Sequence, residues 1–479
     1  MLTATTRKTR ELVPVVRERL ADLETPVSAF AKLRPLGGAF LLESVEGGER
    51  MGRYSFIGVL PRATLVFRDG VASILEDDGV RTIEYADPLD ILRDELGRYR
   101  RGAIGDLPRF SGGAVGYVGY ETARRFERLP AASRDVLRLP EAAFSIYDTV
   151  VCFDHVRHSL LVIAHDVTGE RETAASRIAR VFAALDAPVS LPARTERVAR
   201  TVTANGTADE YRARVAKARQ LIADGDCIQI VLAQRFDVRP APEPLALYRA
   251  LRHVNPSPYM FLIDVAGAAL VGASPEPFVR VENGRVVMYP IAGTRPRGRD
   301  DAEDAAMEAE LRASEKERAE HVMLVDLARN DIGRVSRAGT VRVRELMRVD
   351  RFSHVMHLTS VVDGELASGV DALDAFRACF PAGTVSGAPK IRAMERIAEL
   401  ETDRRGPYAG AIGYLGFDGR MDTCIGIRTA VIAEGVCRIQ AGAGIVADSD
   451  PAAEELETRA KARALLRAIE LVDGEELVR

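Results

Sequence analysis

The sequence predicts an α+β fold in which antiparallel sheet is flanked by helices. Three observations lead there. Short apolar segments separated by glycine turns run to about residue 185, strand segments alternate with long helical stretches beyond residue 205, and 47% of the 479 residues are hydrophobic, enough for more than one core.

Taken in order, the opening stretch MLTATTRKTRELVPVVRERL has the spacing of an amphipathic helix and lacks the apolar run of a signal peptide. Strands follow at GAFLLESV, RYSFIGVL, ATLVFRDG and TVVCFDHVRHSLLVIAHDV. The polar, Pro- and Gly-punctuated stretch 187–205 reads as a connection, so the chain divides into 1–195 and 196–479. A capping box, Thr207 with Glu210, starts the next helix. Strands CIQIVLAQRF, YMFLIDV and RVVMYPI come next, then a helix over about 301–328 whose acidic start suits a helix N-terminus. Asp450-Pro451 supplies the N-cap and first residue of a last helix running to about 470. GAVGYVGYE (113–121) is echoed by GAIGYLGFD (410–418), which fits either a duplicated strand pair or two strands under the same demand for close backbone approach.

A net charge of −4 and a pI near 6.1 give no field that favours nucleic acid. No apolar run reaches membrane-spanning length, so a cytoplasmic protein with no membrane partner is expected. The five cysteines are scattered, mostly in apolar stretches, and read as buried free thiols. None has the Gly-x-Cys-x-Gly setting of a glutaminase nucleophile. Tryptophan is absent altogether.

Two helices each offer a Glu-x-x-Glu step. Glu317 and Glu320 share one helix face, as do Glu454 and Glu457, with Lys461 four residues beyond. Two such steps together suit Mg2+, which takes oxygen ligands, keeps waters and borrows anionic groups from substrates; each alone also describes a solvated face. Three small-residue turns could turn backbone N–H groups toward an anion: YPIAGTRPRG (289–298), FPAGTVSGAPK (380–390) and IQAGAGIVADSD (439–450). Arg428 lies inside the apolar CIGIRTAVI and needs a carboxylate from the protein or a ligand. Tyr408 is either a core tyrosine or a carboxylate donor. His357, on a strand face with Val355 and Thr359, could move protons near neutrality or simply be a satisfied core histidine. Glu276, rigid between two prolines, is either a turn residue or an acid of raised pKa.

The order of these segments is more specific than any one of them. LLES, NPSPYM, ASPE, PIAGTRPRG, ERAEH, VMHLTS, GTVSGAPK, YAGAIGY, IGIRT and AGAGIVADSDP resemble the chorismate-utilising enzymes, and among them the anthranilate synthase component I family, from about residue 26 onward. The resemblance implies a complex body of two large antiparallel sheets with flanking helices. It implies Mg2+ held by Glu320 and Glu457, with Glu317 and Glu454 acting directly or through water. Gly293, Thr294, Thr384, Gly442, Ala443 and Gly444 would hold the substrate chorismate in their turns. Tyr408 and Arg428 would clamp its enolpyruvyl carboxylate, and Lys461 would lie beside the ring carboxylate. Glu276 would protonate the leaving C4 hydroxyl, and His357 would act in pyruvate elimination.

Two positions separate relatives. Water-adding members carry lysine where this chain has Gln229, and aminodeoxychorismate synthases carry a nucleophilic lysine in place of Ala292. Ammonia addition at C2 is therefore expected. The alternatives are an aminodeoxyisochorismate synthase that stops before elimination, an aminodeoxychorismate synthase, and a tryptophan-binding protein with an inactive site. A separate glutamine amidotransferase subunit, in a heterotetramer, would supply the ammonia. Leu42, Glu43, Ser44, Pro258, Tyr259 and Met260, with Arg53 nearby, match a pocket for L-tryptophan as feedback inhibitor, which makes 1–195 the regulatory part and 196–479 the catalytic part. An enzyme made when tryptophan is scarce would suit a chain that contains none.

Overall fold

Several strands are apolar on both faces. Every residue of Ala142–Tyr147 and Thr149–Asp154 is buried, and sheets built from such strands must be covered on both sides. In the computed structural model, which describes residues 10–44, 52–101, 107–130, 134–167, 172–190, 198–351 and 355–474, two sheets meet this demand by packing on each other and carrying helices outside. Phe40, Phe56 and Phe261 of one sheet meet Tyr117, Ile412 and Tyr414 of the other in the inner core. The first sheet packs its outer face on the helices around Phe30, Val181, Leu251 and Leu465. The second packs on those around Val325, Phe376 and Ile397.

Among the described residues the sheets have 13 and 12 strands, antiparallel except where Tyr99–Arg101 runs parallel to Arg10–Leu20. Residues from both sides of position 195 share both sheets. Phe40–Glu43, from the first part of the chain, lies between Tyr54–Gly58 and Tyr259–Val265. In the other sheet, Gly113–Val118 pairs with Ala411–Gly416. The two echoing segments are thus neighbours, with Gly116 opposite Gly413. A Cβ would fall 2.0 Å from the Ala143 carbonyl oxygen at Gly116 and 2.2 Å from that of Asp422 at Gly413, so glycine permits the close approach on each side.

Three sequence expectations change. Arg10–Leu20 is a strand, not part of an amphipathic helix; β-branched Val13, Val15 and Val16 favour extension, and Pro14 is tolerated on an edge whose outer partner covers only Arg10–Leu12. Residues 1–9 lie outside the described residues. The helix expected over 301–328 is two, Asp301–Ala313 and Glu315–Gly333, because Ser314 turns extended, ends the first through its N–H on Glu310 and caps the second by accepting from the Glu317 N–H. The connection 187–205 contains a short strand, Thr201–Ala204, paired with Gln229–Arg239; its residues 191–197 lie outside the described residues. The Thr207–Glu210 capping box and the Asp450 cap of Pro451–Val472 form as expected, and all five cysteines are buried and free.

Candidate active site

The chain passes from one sheet to the other through two short links that lie side by side. Ala268–Ser274 of the first sheet leads through Pro275 and Glu276 into Pro277–Glu282 of the second. Met421–Ile425 of the second leads through Gly426, Ile427 and Arg428 into Thr429–Ala433 of the first. The Ile425 N–H donates to the Glu276 carbonyl at 3.0 Å, and the Ala273 N–H donates to that of Arg428 at 3.1 Å. Tyr408 enters beside them, since the Ala409 N–H donates to the Gly426 carbonyl at 2.9 Å. An acid, a cation and a phenol are thus held together by main chain.

Glu276 accepts the Thr384 hydroxyl at 2.7 Å. Loss of hydration pushes its pKa up to about 7, although Thr384 and the Lys461 charge pull the other way. Near neutrality the group can therefore carry a proton. Arg428 has left-handed backbone, φ 50°, and donates to the Lys461 carbonyl. Burial holds its pKa below the usual arginine value, with Glu457 a weaker opposing influence. Among the described residues it forms no salt bridge, so a carboxylate from outside the chain would complete it.

The strand Val436–Ile445 runs beside Gln229–Arg239, with Gly442, Ala443 and Gly444 opposite Ala233, Leu232 and Val231. A Cβ at Gly442 would sit 2.7 Å from the Tyr408 hydroxyl, and one at Gly444 would sit 2.9 Å from the Gln229 amide nitrogen. The two glycines leave room for those polar groups. Lys461 donates to the Gly442 carbonyl at 3.0 Å. The Gln229 amide lies 3.4 Å from Glu320 Oε1, linking the first sheet to the Glu315–Gly333 helix.

At the edge of the second sheet, Ile291–Pro296 pairs with Val355–Glu365 through a bulge at Gly293. Its φ of 67° suits glycine, and a Cβ there would lie 2.9 Å from Leu311 Cδ1 and 3.1 Å from Glu317 Oε2. The bulge turns the Gly293 carbonyl to within 2.9 Å of His357 Nδ1, and the Thr294 hydroxyl lies 3.1 Å from the same nitrogen. Burial lowers the imidazole pKa, so the ring is neutral at pH 7. A carbonyl only accepts, which places the proton on Nδ1 and the lone pair on Nε2. The two arginines of the turn have local partners: Arg295 pairs with Glu310 and Glu317, and Arg297 pairs with Asp304. Ala292 presents only a methyl group.

The four glutamates belong to this region but form no ready-made metal cluster. Among the described residues no group of three or more His, Cys, Asp or Glu side chains is arranged to hold an ion. Glu317 is paired with Arg295 and Glu457 with Lys461. Glu454 has a raised pKa, first from burial and then from the Glu457 charge, while a Ser449 hydrogen bond and the Lys461 and Lys316 charges lower it. The donor set, carboxylate oxygens on two helices, fits a hard cation that keeps waters and takes its remaining ligand from a substrate.

A cavity lies between the sheets. Leu42, Glu43, Ser44, Pro258, Tyr259 and Met260 line it, as do Tyr54, Phe56, Arg109, Arg280, Tyr414, Asp422 and Cys424. Arg53 is not in its wall; it pairs with Asp154 at 2.8 Å and stacks on Tyr54. Glu43 accepts the Tyr248 hydroxyl and pairs with Arg252 at 3.3 Å, and Asp422 accepts the Tyr259 hydroxyl at 2.8 Å. Asp422 and Arg280 were missed in the sequence. The one available signal was a lone acid in the apolar stretch MDTCIG, which is compatible with any structural ion pair.

Residues 38–467 match the family model described as chorismate binding enzyme. Anthranilate synthase component 1 from Acetivibrio thermocellus is 46% identical over 97% of this chain and 96% of its own length. The protein of that name from Streptomyces coelicolor is 50% identical over 96% and 89%. Among solved structures, anthranilate synthase component I from Streptococcus pneumoniae superposes with a TM-score of 0.79 at 40% identity, covering 86% of this chain and 92% of that one. The menaquinone-specific isochorismate synthase from Escherichia coli, 19% identical with a TM-score of 0.73 over 97% and 96% of the two chains, shares the fold.

Proposed function

The chain belongs to the chorismate-binding enzymes, and from that premise we propose that it catalyses the anthranilate synthase reaction of its component 1 relatives, in tryptophan biosynthesis. The observation that carries the reading is the placement, on adjacent links, of Glu276, an acid whose pKa is pushed up to about 7, and Arg428, a buried cation that has no carboxylate partner among the described residues. Together they suit a substrate with a leaving hydroxyl and a carboxylate.

Arg428 and the Tyr408 hydroxyl hold the enolpyruvyl carboxylate. Main chain at Gly442, Ala443 and Gly444, with Lys461, faces the ring carboxylate; Gly293, Thr294 and Thr384 complete the cradle. Ammonia attacks C2 beside the Gln229 amide, the ring double bonds shift, and the C4 hydroxyl leaves as water with the Glu276 proton. Gln229 is not basic enough to activate water, and the Ala292 methyl cannot attack the ring. His357, neutral with its lone pair on Nε2, then acts in the elimination: C2 loses its proton, the C3–O bond breaks, and the departing enolpyruvate takes up a proton at its methylene carbon to become pyruvate. Glu320 and Glu457 would hold Mg2+, with Glu317 and Glu454 around it. When bound, the ion supplies positive charge for the ring carboxylate.

The ammonia donor is a separate glutamine amidotransferase subunit, in a heterotetramer in the cytoplasm. The cavity between the sheets is the site of feedback inhibition by L-tryptophan. Incubation with chorismate, Mg2+ and ammonium tests the activity: fluorescent anthranilate is expected. Accumulation of aminodeoxyisochorismate would show that elimination is absent, and a 4-amino product would overturn C2 amination.

A further inference from the structure

Resting on that reading of the site, we propose that Arg405 is a positioning residue that locks the Tyr408 clamp and the Thr384–Glu276 acid onto the Gln229–Arg239 strand. Arg405 is 1% exposed, and its guanidinium lies behind the site rather than in it. Nε donates to Glu401 Oε2 at 2.8 Å and Nη2 to Glu401 Oε1 at 2.6 Å. Nη1 donates to the Val385 carbonyl at 2.7 Å, and Nη2 also donates to that of Val231 at 2.8 Å. Glu401 Oε1 in turn accepts the Ala233 N–H at 2.8 Å. The faces of the guanidinium meet the Tyr120 ring at 4.5 Å and the Tyr408 ring at 5.6 Å.

These contacts converge on three substrate-facing segments. Val385 follows Thr384, whose hydroxyl holds the Glu276 carboxyl. Val231 and Ala233 lie just beyond Gln229 and opposite Gly444 and Gly442. Tyr408 places its hydroxyl 2.7 Å from where a Cβ of Gly442 would be. The planar, five-donor guanidinium can grip a carboxylate and two carbonyls while stacking on a ring, which a lysine ammonium cannot. Burial pushes the Tyr408 pKa up to about 12, and the Arg405 charge partly offsets that rise while Glu401 adds to it, so the phenol keeps its proton to donate to a carboxylate. Stability alone does not require this ion pair, since well-packed apolar residues often replace such a pair without loss.

The test uses Arg405→Lys and the uncharged double variant Arg405→Met with Glu401→Leu, the second for the case in which the first does not fold. Thermal unfolding is measured beside steady-state kinetics, and chorismate binding is measured by calorimetry with Mg2+ but no ammonium. In folded variants chorismate should bind about tenfold more weakly, kcat/KM should fall by about tenfold to a hundredfold, and the pH limb belonging to Glu276 should move. A cycle with Tyr408→Phe should be non-additive in binding. A folded variant with wild-type binding and pH profile, or strict additivity with Tyr408→Phe, would overturn the proposal. Wild-type protein that binds chorismate yet makes no anthranilate would instead remove the functional reading and leave the binding comparison intact.

Discussion

Glu276 and Arg428 occupy adjacent links between the two sheets, and the main chain of each link is hydrogen-bonded to the other. The acid and the cation are therefore fixed relative to each other by the sheets themselves, and substitution of either side chain should alter chemistry more than architecture.

Glu276→Gln should lower kcat by roughly a hundredfold to ten-thousandfold, the usual contribution of a positioned acid. In the wild type, activity should fall as pH rises through about 7, because the proton is lost there. Rates at a fixed concentration of free ammonia check this, and the limb should vanish in the variant. Because the folded pKa is raised, the stabilising effect of the protonated form is fully present below the unfolded value and is lost as pH rises through about 7. Glu276→Gln should then be more stable than wild type at pH 8, by up to roughly 3 kcal/mol, with the difference fading toward pH 4.

Gly293→Ala puts a methyl 2.9 Å from Leu311 at a positive φ. We expect a loss of about 1–3 kcal/mol in denaturant unfolding. A larger relative loss of kcat should accompany it, because the displaced carbonyl no longer orients His357. Equal activity per folded molecule would separate the bulge from catalysis.

Glu320→Gln should raise the Mg2+ concentration for half-maximal rate by at least about tenfold. It also replaces the acceptor facing the Gln229 amide. Titration of Mg2+ into chelator-treated protein reads this directly, and an unchanged midpoint would remove Glu320 from the metal site.

Ser44→Phe should fill the cavity between the sheets, whose wall includes Ser44, Tyr259 and Asp422. The concentration of L-tryptophan that halves each protein's own uninhibited rate should rise by at least about tenfold in the variant. Unchanged sensitivity would place the inhibitor elsewhere.

Local signals in the sequence served well where one segment determines its own structure. The Thr207–Glu210 box and Asp450-Pro451 each mark a helix start through bonds made within a few residues. The glycine pleats of 113–121 and 410–418 marked close approach, but not that the two segments approach each other. Ser314 was not legible as a break because serine inside an acidic, alanine-rich stretch has no distinct pattern. The side-by-side links at Glu276 and Arg428, the pairing of Arg295 with Glu317, and the presence of Asp422 and Ser44 in the wall of one cavity all depend on pairing across long separations. The site residues were assigned from the order of the motifs rather than from their own chemistry, since each residue alone also had a structural explanation.

The sheet order also constrains how the protein is made. Gln229–Arg239 has Val436–Ile445 as its inner neighbour, so during synthesis that edge waits for a strand far downstream to leave the ribosome. Until then the unpaired N–H and C=O groups of that edge are open to wrong partners, and a nascent chain stalled before residue 436 should depend on chaperones. Function is therefore reached only once Val436–Ile445 has docked, with no working fragment before that.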